Sequence, residues 1–253
     1  MWLKEHYPVF SLNNGLRLLR SGQLRETVVA ITFDDGHRLV QTDAVPILEK
    51  LRIPATIFIN TAYLEGKLPG YWFNIGNYLL NDPELSRKVP EDLASKMTRL
   101  RETDNPEEYR RLREEVESLA ELLPENINFY VDREWLQNVD PGLINVGLHG
   151  HEHQRFSMMP YSWQKNNIEK CYIELAELPG FVPLFALPFG KPSDCNPETI
   201  EIVREHKLEF IYSYGGYNAW YHQAAINRIP ADGRDIRQIM ETLQYYTKRR
   251  MDG

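Results

Sequence analysis

The sequence predicts an α/β protein with a parallel sheet and a helical insertion, and three observations predict it. Short apolar runs rich in β-branched residues recur at 28–33, 53–59 and 143–148, each the length of one buried strand. Between the first two, Val45, Leu48 and Leu51 fall at helical spacing, which completes the strand-helix-strand rhythm of a parallel sheet. From residue 66 to about 142 that rhythm lapses, and Asn, Asp, Pro and charged residues dominate.

The 253 residues suit a single domain, 1–253, with the insertion at about 66–142. Apolar residues make up 42%, which with 15 glycines is a globular rather than a disordered composition. Lys and Arg number 29 against 36 Asp and Glu, a net charge of −7 with no concentrated basic stretch, so nucleic acid and anionic lipid are excluded as partners. Cys171 and Cys195 are the only cysteines and form no Cys-x-x-Cys pair, which excludes a disulfide framework and a cysteine-rich zinc module. Lys4, Glu5 and His6 interrupt the N-terminal segment, leaving no signal-peptide core, and nothing approaches the roughly 18 apolar residues of a membrane span. The expectation is a soluble chain, cytoplasmic by default and extracytoplasmic if a leader has been removed.

In chain order, the run Val28-Val29-Ala30-Ile31-Thr32-Phe33 reads as a strand that stops at Asp34-Asp35-Gly36. Residues 43–51 read as a helix and 53–59 as the next strand. Within the insertion, 106–123 reads as a highly charged helix, a solvated lid or flank. Residues 143–148 form an apolar strand ending at His149, 163–178 a helix, and 183–187 a strand running into Pro188-Phe189-Gly190. A helix over 197–206 follows, with Ile200 and Val203 on its apolar face, then a strand over 208–214 ending in Gly215-Gly216 and a further strand at 226–229.

Three polar clusters close apolar strands, where the active sites of parallel α/β proteins gather. Asp34 and Asp35 are adjacent carboxylates on a turn that can aim both into one cleft, where their repulsion calls for a cation or a shared proton. Asp-Asp-Gly is also simply a good turn. His149, His151 and His153 place three of the seven histidines within five residues. On a continuous strand the outer two would lie about 13 Å apart at their Cα atoms, too far to share an ion. Either His149 pairs with His151 on a strand, or the chain turns at Gly150 and His149 pairs with His153. The third cluster is Leu187-Pro188-Phe189-Gly190, a structural turn when taken alone.

The order Thr-Phe-Asp-Asp-Gly, then His-x-x-x-His, then a Pro-aromatic-Gly loop resembles the polysaccharide deacetylases of carbohydrate esterase family four, the NodB-homology domain, over about residues 25–65 and 140–232. The resemblance implies a distorted (β/α) barrel and a metal-dependent hydrolase that removes acetyl groups, usually from N-acetylated amino sugars. It implies Asp34 as catalytic base and Asp35, His149 and His153 as ligands of a divalent metal, zinc first, with cobalt, manganese, nickel or iron as alternatives. It also implies the Phe189 backbone N–H as oxyanion donor. An acetylated carbohydrate is the expected partner, and the acidic chain suits a neutral or partly deacetylated, cationic glycan.

The chain departs from the family pattern twice. No histidine follows His222, so the late Leu-x-His general acid is missing, and Phe185-Ala186-Leu187 stands where an arginine usually precedes the Pro-aromatic-Gly loop. A subgroup has a late Arg-Ile element after a Gly-Gly segment, matched here by Gly215-Gly216 and Arg228-Ile229, which makes Arg228 the expected orienter of Asp34. The leaving-group proton would come back from Asp34, from His37 or His222, or from an element beyond Gly253. His37, His151, Glu152, Tyr217 and Trp220 are candidate substrate contacts, and Tyr71-Trp72-Phe73, Tyr214 and Tyr221 are further candidates to stack on sugar rings. The alternative readings are an O-acetyl esterase or cyclic-amide hydrolase on the same metal site, or a pseudoenzyme that binds metal or carbohydrate without catalysis.

Overall fold

The computed structural model describes residues 2–64, 66, 68–221 and 225–251. Six strands, β1 (Ile31–Phe33), β2 (Ala55–Ile59), β3 (Ile144–Leu148), β4 (Phe181–Ala186), β5 (Glu209–Gly215) and β6 (Ile226–Arg228), lie side by side in chain order, and every neighbouring pair is parallel. The sheet curls into a distorted half-barrel. Its first and last strands share no backbone ladder among the described residues, yet the Arg228 side chain of β6 reaches Thr32 of β1 at 3.1 Å.

Strand alternation sorts the core into two layers. Ala55, Ile57 and Ile59 of β2, with Ile144, Val146 and Leu148 of β3 and Phe185 of β4, face outward beneath the helices. Phe58, Val182, Leu184, Ala186, Ile211 and Ile226 face inward and meet Leu12 and Leu16 of a helix that the pattern of apolar runs did not reveal. That helix, α2 (Leu12–Arg20), follows the short α1 (Trp2–His6) and is capped by Ser11.

The expected strand over 28–33 is split. Only Ile31–Phe33 join the sheet, while Val29 bridges Val9 and its N–H donates to the Pro8 carbonyl at 3.0 Å. The expected helix over 43–51 opens with a π-helical turn at Val40–Ala44 before α3 (Val45–Leu51).

The insertion is helical and has its own core. Its helices α4 (Trp72–Asn81), α5 (Leu93–Glu102), α6 (Pro106–Ser118) and α7 (Arg133–Asn138) follow one another, and Trp72, Ile75, Leu79, Leu100, Tyr109 and Val116 bury against each other. The helix expected over 106–123 ends at Ser118 and continues as a 3₁₀ turn, Leu119–Leu122. It is more than a solvated flank: Arg110–Glu114 and Arg111–Glu115 pairs cover one side, while Tyr109, Leu112 and Val116 are buried on the other. Arg155 ties this unit to the barrel, donating to the Thr103 and Arg101 carbonyls while facing Asp194 at 3.4 Å.

The remaining helices are α8 (Tyr161–Leu175), α9 (Pro197–Glu205) and α10 (Ile236–Met251). The last was not foreseen; it docks by Tyr246 against Tyr217 and by Thr247 on the Tyr7 hydroxyl. Among the described residues no helix is long and apolar enough to cross a membrane.

Candidate active site and metal centre

Thr32 and Asp34 are two residues apart on an extended backbone and therefore share a face, which here is the barrel interior. Arg228 donates one hydrogen bond of 2.7 Å to each Asp34 oxygen, a third to Thr32 Oγ1 at 3.1 Å and a fourth to the Tyr212 carbonyl at 2.8 Å. It also donates to Ser213 Oγ at 2.6 Å, and the Ser213 hydroxyl lies 3.4 Å from Asp34 Oδ2. Burial by itself would raise the Asp34 pKa, but the charges of Arg228 and His149 and the Arg228 hydrogen bonds outweigh it and hold the carboxyl below its ordinary value.

The next residue turns the other way. Asp35 adopts φ 67°, a left-handed conformation uncommon for a residue with a side chain, and this carries its carboxylate to the histidine loop. After β3 ends at Leu148, Gly150 at φ 84° reverses the chain, so His149 and His153 converge while His151 does not join them. One ligand atom from each of Asp35, His149 and His153 lies within 4.8 Å of the others. The Tyr71 hydroxyl donates to Asp35 Oδ2 at 3.3 Å, and the Tyr71 ring stacks on His153 with centroids 4.2 Å apart.

Asp35 Oδ1 is buried and has no hydrogen-bond partner among the described residues, yet it stands 3.1 Å from His149 Nε2 and 3.4 Å from His153 Nε2. The Ala186 carbonyl accepts from His149 Nδ1 at 2.8 Å, which leaves Nε2 of the neutral ring as a lone pair aimed at the carboxylate. Such an arrangement needs either a proton or a cation at its centre. A tetrahedral zinc with bonds of about 2.0–2.1 Å sets its ligand atoms roughly 3.3–3.4 Å apart, so the residues fit a divalent metal. Burial opposes the Asp35 charge, but His153 and His149 override it and keep the carboxyl well below its usual range. Burial also pushes His153 down to about 4, whereas Asp34 and Asp35 overcome burial at His149 and raise it.

The loop after β4 completes the cleft. Phe189 has φ 62°, its ring meets His153 edge-on at 4.7 Å, and its N–H has no acceptor among the described residues. Gly190 is required next to it: a Cβ at that position would stand 2.2 Å from Ser213 Oγ and 2.7 Å from Ser213 N. Ser213 N–H in turn donates to the Gly190 carbonyl at 3.0 Å, fastening the loop to β5 beside Asp34.

The sequence matches the profile of the polysaccharide deacetylase family over residues 21–211, most of the chain. It belongs to that family. A poly-beta-1,6-N-acetyl-D-glucosamine N-deacetylase from Staphylococcus aureus (strain MSSA476) is 39% identical over 64 residues, which is 25% of this chain and 22% of that protein, so the match spans about a fifth of the relative. Among solved structures, IcaB from Ammonifex degensii aligns with TM-score 0.62 at 16% identity, covering 96% of this chain and 85% of that one. The Streptococcus pyogenes deacetylase PplD, solved in complex with acetate, aligns with TM-score 0.57 at 15% identity, covering 95% of this chain and 81% of that one. At these identities the likeness is one of fold.

Not every candidate residue reaches the cleft. His151 is held by Thr61 Oγ1 at 2.8 Å and lies 3.7 Å from Glu174 of α8. His37 sits past the Asp-Asp-Gly turn, accepting from Leu39 N–H and facing the Tyr130 ring. His222 lies outside the described residues. Tyr71 and Trp72 are buried in the insertion core at 4% and 0% exposure, which corrects the expectation that they stack on sugar. Tyr217 packs on Tyr246, and Trp220 is 63% exposed on the same connection from β5 to β6. Beside that connection a cavity of about 760 Å³ opens between Tyr214, Gly216 and Pro230 on one side and Arg234, Glu241 and Tyr245 on the other. Sequence reasoning missed Thr32 and Ser213; each is a polar residue in an apolar strand, on the face shared with Asp34 or Arg228.

Proposed function

We propose that the chain is a single-domain, metal-dependent hydrolase that removes acetyl groups from an N-acetylated sugar, oligosaccharide or polysaccharide. The observation that carries this reading is the adjacency of two differently prepared carboxylates, Asp34 clamped by Arg228 and Asp35 presenting an unpaired oxygen to His149 and His153. Asp35, His149 and His153 would hold a divalent cation, zinc first. When bound, such an ion supplies Lewis-acid polarisation of the acetyl carbonyl and acidifies a water.

The chain's own groups do the rest. Arg228 and Ser213 keep Asp34 charged and aimed, and Asp34 Oδ1, bonded by Arg228 alone, retains a lone pair. Asp34 takes the proton of the attacking water at that lone pair. The carboxylic acid so formed returns the proton to the leaving amine nitrogen, a route that does not require a late histidine. The unpaired Phe189 N–H donates to the tetrahedral oxyanion. Neighbouring sugars would lie toward Tyr217, Trp220 and the groove beside α10, where exposed aromatic rings suit sugar faces.

The relative named above acts on a polymer of N-acetylglucosamine, so oligomers of that sugar are the first substrates to test. Acetate should be released from them with added zinc or cobalt and lost in Asp34→Asn with metal content retained. O-acetylated sugars in parallel separate amide from ester hydrolysis. No acetate from any acetylated sugar, despite bound metal, would sink the proposal in favour of a binding protein.

A further inference from the structure

We propose that Tyr71, supplied by the helical insertion, is a positioning residue for the metal centre, reserving one oxygen of Asp35 for the ion and holding the His153 ring in its ligating orientation. The proposal rests on the metal reading of Asp35, His149 and His153.

Metal-ligating histidines ordinarily donate their second ring nitrogen to a fixed acceptor, which sets the ring's orientation. His149 does so, through Nδ1 to the Ala186 carbonyl. His153 does not: its Nδ1 is buried and has no hydrogen-bond partner among the described residues. What orients His153 is aromatic. The Tyr71 ring lies against its face at 4.2 Å with 27° between planes, and Phe189 closes from the side at 4.7 Å.

The Tyr71 hydroxyl has the complementary task at Asp35. It donates to Oδ2, while Oδ1 remains without a partner and faces both imidazoles. Engaging one oxygen and freeing the other favours single-oxygen binding over a carboxylate that rotates between modes. Tyr71 is itself immobilised, immediately preceding α4, 4% exposed and set among Tyr63, Trp72 and Phe73. The insertion thereby reaches into the barrel's metal centre with a single side chain.

The test measures metal binding by the full chain, with zinc competed against a chromophoric chelator and with cobalt(II) read by its visible spectrum. Tyr71→Phe, which removes only the hydroxyl, should weaken zinc binding by roughly 10-fold and alter the cobalt spectrum, and Tyr71→Leu, which also removes the ring, by roughly 100-fold. Tyr130→Phe removes a hydroxyl from the same cluster that bonds Asn74 instead of Asp35, and should change neither readout. Wild-type affinity and spectrum in Tyr71→Phe would overturn the proposal. Failure of the unaltered chain to bind zinc or cobalt would overturn the metal reading beneath it.

Discussion

Arg228 and Asp34 share two parallel hydrogen bonds of 2.7 Å, so the last strand of the sheet grips the turn that follows the first. A planar guanidinium meets a carboxylate in this two-point fashion and cannot be deprotonated, which makes the pair both a geometric and an electrostatic device.

Removing that clamp should move the pH profile. Burial raises the Asp34 pKa and Arg228 is the largest influence opposing it, so in Arg228→Gln the acid limb of kcat/KM should shift to higher pH, with a loss of about 10²-fold at pH 7. The lowered pKa also contributes stability that is present above the ordinary carboxylate pKa and is lost as pH falls through the folded value. Arg228→Gln should therefore narrow the stability difference between pH 7 and strongly acid solution in urea titrations. An unmoved acid limb would remove Arg228 from the catalytic account.

Metal should stabilise the fold through its ligands. Zinc at about 100 times its dissociation constant contributes about 2.7 kcal/mol, equivalent to roughly 5–10 °C in Tm for a chain of this size. The rise should vanish in His149→Ala and His153→Ala and persist in His151→Ala, whose ring is bound to Thr61. A chelator should reverse it in the unaltered chain.

Gly190→Ala should damage the site without touching a functional side chain. The residue has φ 79°, and the added Cβ would press on both the side chain and the backbone of Ser213. A loss of about 1–3 kcal/mol in thermal or urea denaturation is expected, with a fall in kcat as Ser213 and Asp34 are displaced. Full activity in this variant would show that the Phe189 loop does not depend on its approach to β5.

Arg155 should prove costly to remove. It is buried against Asp194, bonds two carbonyls of the insertion and lies over the Tyr109 and Phe189 rings. Arg155→Ala removes the guanidinium facing the buried Asp194, leaving it the Lys191 N–H, and should destabilise by about 3 kcal/mol, with Asp194→Asn in the same chain restoring part of the loss. Urea denaturation of the single and double variants reads this directly.

The short apolar runs and the polar residues that close them were legible in the sequence. The parallel strands showed as β-branched runs, and Asp34, Asp35 and the histidine cluster showed as polar residues ending them. Strand geometry alone left two histidine pairings open, and the structure brings His149 and His153 to Asp35 because Gly150 permits the reversal. Val28 and Val29 read as sheet because their residue types suit any extended pairing; their partner is the 8–10 segment instead. Leu12, Leu16 and Leu19 of α2 and Ile236, Ile239, Met240 and Leu243 of α10 do fall at helical spacing, but segments this polar hold no apolar run to mark them, and their docking depends on contacts such as Thr247 with Tyr7 that no local pattern encodes. Tyr71 and Trp72 misled for the opposite reason: an aromatic cluster suggests a sugar platform until tertiary packing buries it.

The meeting of Arg228 with Asp34 joins residues 194 positions apart in the chain. Closing a loop of that length costs more entropy than making a local contact, so the pair is expected to form after the intervening strands and helices have shortened the effective loop. On refolding, secondary structure should therefore return before the Arg228–Asp34 contact does. Until β6 is in place, Asp34 and Asp35 stand on their turn without the guanidinium that holds the Asp34 carboxylate, so the first strand's turn takes its final form only when the last strand arrives.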